Sequence, residues 1–160
     1  MSNAAPPEFA RALGRIPSGL FVVTTRRAGE PLGFVGSFVQ QVGFEPPTVS
    51  VAVGKGRAPL DAIRSSKAFA LSVLDPASEK VMGRFFKRYE PGQSPFEGLA
   101  TSDAPSGSPV LAEALAWVDC RLAGEHELAD HVVLFGAVLD GRVLREGDPS
   151  VHLRRNGLSY

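Results

Sequence analysis

Residues 33–57 read GFVGSFVQQVGFEPPTVSVAVGKGR, and the fold class is decided here. Thr48–Val53 alternates cleanly with period two, the pattern of a strand with one buried face. Glu45-Pro46-Pro47 interrupts the chain just before it, since proline cannot donate to a central ladder. Gly33–Val42 is also extended, but Gly36, Ser37, Gln40 and Gln41 are unusual in a core strand. Strand glycines mark close approach by a ligand or another backbone, and an irregular edge strand has the same composition. Beyond the strand, Gly54-Lys55-Gly56-Arg57 runs into a helix with Pro59 in its first turn. Backbone N–H groups at such a helix start, beside two cations, suit a phosphate or other anion. A solvated turn carrying two surface cations reads the same way. The Walker spacing is absent.

Outward from this stretch, Leu20–Thr25, Ala68–Leu74, Trp117–Gly124 and Val132–Leu144 read as further strands, with His152–Tyr160 as a last edge. Ala28–Pro31 is a turn. Helices are expected over Glu8–Ile16, Pro59–Ser65 and Ala77–Lys87, with a short helical turn at Pro109–Ala114. Tyr89–Ser108, rich in Gly, Pro and Ser, is expected to be a long loop of the kind that often carries function. Strands without βαβ alternation predict a mainly β fold, an antiparallel barrel with peripheral helices. One domain is expected over residues 9–160. Residues 1–8 are expected to be disordered or, around Ser2-Asn3-Ala4, a remnant of expression.

The 160 residues are 44% hydrophobic, enough for a core, and 17 basic side chains balance 17 acidic ones. A nucleic-acid binder carries a basic surplus, which this chain lacks. No apolar run reaches the ~20 residues of a membrane span, and Met1–Pro7 has no signal-peptide pattern, so neither membrane nor export is expected. Cys120 is the single cysteine, which fits a reducing cytoplasm. Within AWVDCRL it reads as a small buried hydrophobe rather than a nucleophile. No Gly-x-Ser-x-Gly elbow occurs. His126, His131 and His152 have no ligand spacing, so no metal site is expected. Phe85 and Phe86, flanked by Arg84 and Lys87, either cover a planar ligand or close the core at a helix end. His131 either donates to a ligand oxygen or caps a turn.

In order, the segments 33–57, FFKRYEPGQSPFEGL (85–99), GSPVLAEALAWVDCRL (107–122), ADHVVLFGAVLDGRVL (129–144) and VHLRRNGLSY (151–160) resemble the flavin reductase-like, FMN-binding split-barrel family. Within it the pattern is most similar to the flavin-reductase modules at the C-terminus of diflavin flavoproteins. The resemblance implies a six-stranded antiparallel split barrel, a homodimer, and FMN, with FAD as the alternative flavin, near the dimer interface. It places Gly36, Ser37, Phe38, Gln41, Val42 and Gly43 along the flavin, Lys55 and Arg57 at its phosphate, and Phe85 and Phe86 in its pocket. His131 matches the family's Gly-Asp-His near the reacting rings and is the candidate catalytic residue. The implied activity is hydride transfer from NADH or NADPH to flavin, with a flavin-dependent monooxygenase or other acceptor as partner. The alternative is a non-enzymatic FMN carrier or electron-transfer protein. Three positions depart from the family pattern: Gly36 stands within the usual Ala-Asn-Ser or Ala-Ser, Gly43 replaces Ser or Thr, and Ala129 replaces the Gly of Gly-Asp-His.

Overall fold

The computed structural model describes residues 5–159. The expected disordered N-terminus, 1–8, therefore lies outside the described residues over its first four positions. Helix α1 (Glu8–Leu13) leads into β1 (Ser18–Gly19), β2 (Phe21–Arg27), β3 (Glu30–Gly36), β4 (Val39–Phe44) and β5 (Pro47–Gly54). Next come α2 (Ala58–Ser66) and β6 (Ala68–Val73), then a 3-10 turn (Glu79–Val81) running directly into α3 (Met82–Phe85). The chain ends with β7 (Thr101–Asp103), β8 (Pro109–Leu111), β9 (Ala116–Leu128), β10 (His131–Val143) and β11 (Val151–His152).

Seven strands, not the expected six, form one antiparallel sheet in the order β3-β2-β6-β9-β10-β5-β4. β3 and β4 are its two ends, yet only Ser37 and Phe38 separate them in sequence. The sheet must curl until its ends approach, leaving a barrel split between β3 and β4. The extended stretch expected over Gly33–Val42 is thus two strands on opposite margins of the split.

The barrel interior holds Val23, Phe34, Val51, Val53, Phe69, Cys120 and Leu134, and α2 adds Leu60 and Ile63. A second cluster outside it joins Leu20, Val22, Leu74, Val81 and Leu111. β2 is therefore buried on both faces, Val23 inward and Val22 outward, which is why its sequence is a continuous apolar run. Gly136 is required by this packing. An added Cβ would strike the Phe69 ring and would lie 2.8 Å from Cys120 Cβ.

Five expectations are corrected. Pro109–Leu111 is strand β8, not a helical turn: it pairs with β7, the Leu111 N–H donates to Ser72 Oγ at 3.0 Å, and Thr24 Oγ donates to the Pro109 carbonyl. These bonds to β6 and β2 hold the segment extended, and β7 puts a strand inside the expected long loop. The helix expected over Ala77–Lys87 shrinks to the 3-10 turn and α3, and α1 stops at Leu13 before Gly14. Of the last edge expected over His152–Tyr160, only His152 pairs among the described residues, opposite Ser18, and β11 starts one residue earlier with Val151 opposite Gly19. Tyr160 lies outside the described residues.

Candidate functional site

Of the residues singled out in the sequence, Ser37, Arg57, Phe85 and Phe86 converge on one cavity of about 620 Å³, completed by Leu20, Val35, Met82 and His152. Each arrives for a local reason. α2 starts at Ala58-Pro59, and the extended backbone of Arg57 (φ −82°, ψ 137°) is its N-cap, so the Arg57 side chain emerges at the helix start. Its guanidinium lies 5.3 Å from the centre of the Phe34 ring. Gly54 leaves the room for this, because a Cβ there would sit 3.3 Å from Arg57 Cδ. Phe85, at the end of α3, lies over β3. A Cβ on Gly33 would approach its ring to 2.8 Å, and Phe96 braces it edge-on at 5.3 Å.

The glycines that interrupt the stretch are thus explained by the chain's own packing. Gly33 admits Phe85, Gly36 admits Val23 inside the barrel, and Gly43 sits at the β4–β5 irregularity against Pro46 and Thr48. Gly36 and Gly43 line none of the larger cavities. Gln41 and Val42 lie on the exposed face of edge strand β4, where Gln41 Nε2 donates to the Gly43 carbonyl at 3.2 Å. Lys55 turns away to Glu127, 3.6 Å distant, so of the two expected phosphate-site cations the cavity receives Arg57.

Phe38 and His131 form a second group. Their rings meet edge-on at 5.7 Å and line a separate cavity of about 400 Å³ with Arg154. Asp130 Oδ1 is 2.8 Å from His131 Nδ1, which donates to it and thereby fixes the tautomer. That hydrogen bond holds the Asp130 carboxyl below the usual carboxylate range. Ser37 joins the 620 Å³ cavity to a neighbouring one of about 680 Å³, which Phe38 and Arg154 also line; it is 6% exposed, and among the described residues its Oγ has no hydrogen-bond partner. An orphaned hydroxyl is the feature a polar ligand edge would satisfy. Cys120 is fully buried, and burial pushes its thiol up to about 12, which removes it as a nucleophile or ligand.

A partly open, largely apolar hollow lined by the two phenylalanines, of which Phe86 is mostly exposed, with a guanidinium and an unpaired hydroxyl in its wall, suits a planar ring carrying an anionic tail. The sequence pattern described as a flavin reductase like domain matches residues 13–157. The chain belongs to that family. Diflavin flavoprotein A 1 of Synechocystis is 36% identical over 155 residues, covering 96% of this chain but 27% of that protein. The flavin reductase-like domain thus spans about a quarter of the length of that curated relative. Among solved structures, a homolog of nitrilotriacetate monooxygenase component B from Mycobacterium thermoresistibile superposes with a TM-score of 0.83 at 30% identity, covering 91% of this chain and 81% of its own. An NADH:FAD oxidoreductase of Streptomyces globisporus does so with a TM-score of 0.83 at 26% identity, covering 96% and 94%. The mainly β split barrel with peripheral helices is the fold of this group.

Two residues of this domain escaped the sequence reading. His152 enters the 620 Å³ cavity through the pairing of β11 with β1. Arg154 reaches Phe38, its Cζ 4.6 Å from the ring centre. Both depend on contacts between the two ends of the chain, which no local pattern announces.

Proposed function

We propose that this domain transfers hydride from NADH or NADPH to flavin, with FMN as the preferred flavin and FAD as the alternative. The observation that carries the reading is the convergence of Ser37, Arg57, Phe85 and Phe86 on one apolar cavity. Arg57 would take the phosphate, Phe85 and Phe86 would flank the ring system, and Ser37 would bond its polar edge. Bound flavin would supply the hydride chemistry itself, and the protein would bind, orient and shield it. His131, held by Asp130, is the residue proposed to orient the reacting nicotinamide or flavin ring from the Phe38 side.

Two further features belong to the same reading. A homodimer is supported by edge strand β4, which offers an open ladder together with Val42, 52% exposed, and Phe44, 88% exposed. A reducing, cytoplasmic setting is supported by the lone buried cysteine. Among the described residues no helix is long and apolar enough to cross a membrane. Delivery of reduced flavin to a monooxygenase is supported by the component B relationship.

The test mixes purified protein with FMN, then NADH or NADPH, and follows nicotinamide absorbance against a flavin-only control. Accelerated oxidation is expected. Tight flavin retention without acceleration would assign the domain as a flavin carrier instead. No retention of FMN or FAD would refute both.

A further inference from the structure

Ser18, Ser37 and Arg154 come from distant parts of the chain. Among the described residues they alone hold buried side-chain polar atoms without a hydrogen-bond partner: the two Oγ atoms, and Nε and Nη1 of Arg154. All three line the same cavity of about 680 Å³, which meets the flavin cavity at Ser37. Phe38 holds the guanidinium from one side. Among the described residues, the one carboxylate lining the adjoining cavity, Asp130, is taken by His131. Arg154 also lines a small hollow with Arg11, Arg15 and Arg155 and no acidic residue, a concentration of positive charge on a chain whose net charge is zero. Arg11 in that group is paired with Glu8.

Arg154 is only half-buried, but its Nε and Nη1 are shielded from solvent, and buried N–H groups left unpaired are costly and call for a partner such as an ion or ligand. We propose that Ser18, Ser37 and Arg154 form an anion site for a phosphoryl group, distinct from the one at Arg57. A guanidinium fork and two hydroxyls, one from β1 and one from the link between β3 and β4, fit the several oxygens of a phosphate better than a point charge would. The flanking arginines draw the anion in. This deepens the flavin-reductase reading, on which it rests for its source: the phosphoryl group belongs to the nicotinamide coenzyme or is the second phosphate of a flavin dinucleotide.

The test needs neither flavin nor turnover. Inorganic pyrophosphate is titrated into the full chain, and the thermal midpoint is compared with sodium chloride of equal ionic strength. The wild type and Arg57→Ala are expected to rise with pyrophosphate. Arg154→Met is expected to rise no more than in chloride, and to start at a similar midpoint because the two orphaned N–H groups have gone with the half-buried charge. Arg154→Lys, should the methionine variant not fold, is expected to lose most of the shift, since a point charge replaces the fork. A shift retained by both Arg154 variants, or abolished by Arg57→Ala alone, overturns the proposal. Two arms then identify the source. A raised KM for NADH or NADPH at unchanged flavin affinity assigns the coenzyme, and weakened FAD with unchanged FMN assigns the dinucleotide. Failure of the flavin-reductase reading would leave the pyrophosphate result standing, so the two fail separately.

Discussion

Replacing Arg57 with alanine separates a phosphate contact from a structural one. The guanidinium stands at the margin of the apolar cavity and over the Phe34 ring at 5.3 Å. Losing a hydrogen bond to a charged partner costs about 1.5–3 kcal/mol, which converts to a loss of roughly 10- to 150-fold in affinity. The contact with Phe34 is worth about 0.5–1 kcal/mol, and its loss falls on folding rather than on ligand. FMN should therefore weaken by one to two orders of magnitude, while riboflavin, which lacks the phosphate, should change by less than about threefold. Arg57→Lys should fall between, keeping the charge and losing the fork. Flavin fluorescence titrations of the three proteins measure all of this, with thermal midpoints confirming that each is folded. Equal losses for FMN and riboflavin would show that Arg57 does not touch the phosphate and would refute the assignment of this end of the cavity.

Four other outcomes follow from the packing. Gly136→Ala forces a methyl against Phe69 and Cys120, both fully buried, and should cost about 1–3 kcal/mol in urea unfolding; a neutral result would mean the barrel interior is looser than described. Ala129 opens the two-residue β9–β10 loop at φ 49°, a left-handed conformation that favours glycine, so Ala129→Gly should raise the thermal midpoint, and a lowered midpoint would contradict the strain. Asp75 is held at about 2 by the Arg145 guanidinium first and then by Ser78. Its contribution is present above the ordinary carboxylate value and should fade as pH drops from about 4 through about 2; Asp75→Asn should flatten that part of the acid-unfolding curve, and an unchanged slope would place the acid sensitivity elsewhere. Cys120 should resist thiol reagents at pH 8 until urea unfolds the chain; labelling of the native protein would contradict its burial.

Local pattern was a good guide wherever one strand or helix could be read on its own. The alternation in Thr48–Val53 became β5, the apolar run at Leu20–Thr25 became β2, and Pro59 marked the start of α2. The ordered segments carried the family, and through it the barrel. Of the site, Ser37, Arg57, Phe85 and Phe86 were named from sequence and do share a cavity. The glycines and polar residues of the first extended stretch could not be sorted in sequence between ligand and packing. Gly33 answers to Phe85, and Gly36 to Val23.

What the sequence alone determined is what short-range periodicity and turn chemistry encode: which segments extend, which coil, where proline and glycine stop them, and that charge and composition suit a compact domain. Tertiary structure decided the rest. It parted β3 from β4 at Ser37 and Phe38 and sent them to opposite ends of the sheet. It recruited Pro109–Leu111 as a strand through bonds to Ser72 and Thr24. It covered Asp119 with the Ser106 backbone and hydroxyl, and it brought Arg154 from the far end of the chain onto Phe38. Each of these outcomes is a pairing between segments remote in sequence. Such pairings are chosen by closing the barrel at native density, and a residue's immediate neighbours carry no record of them.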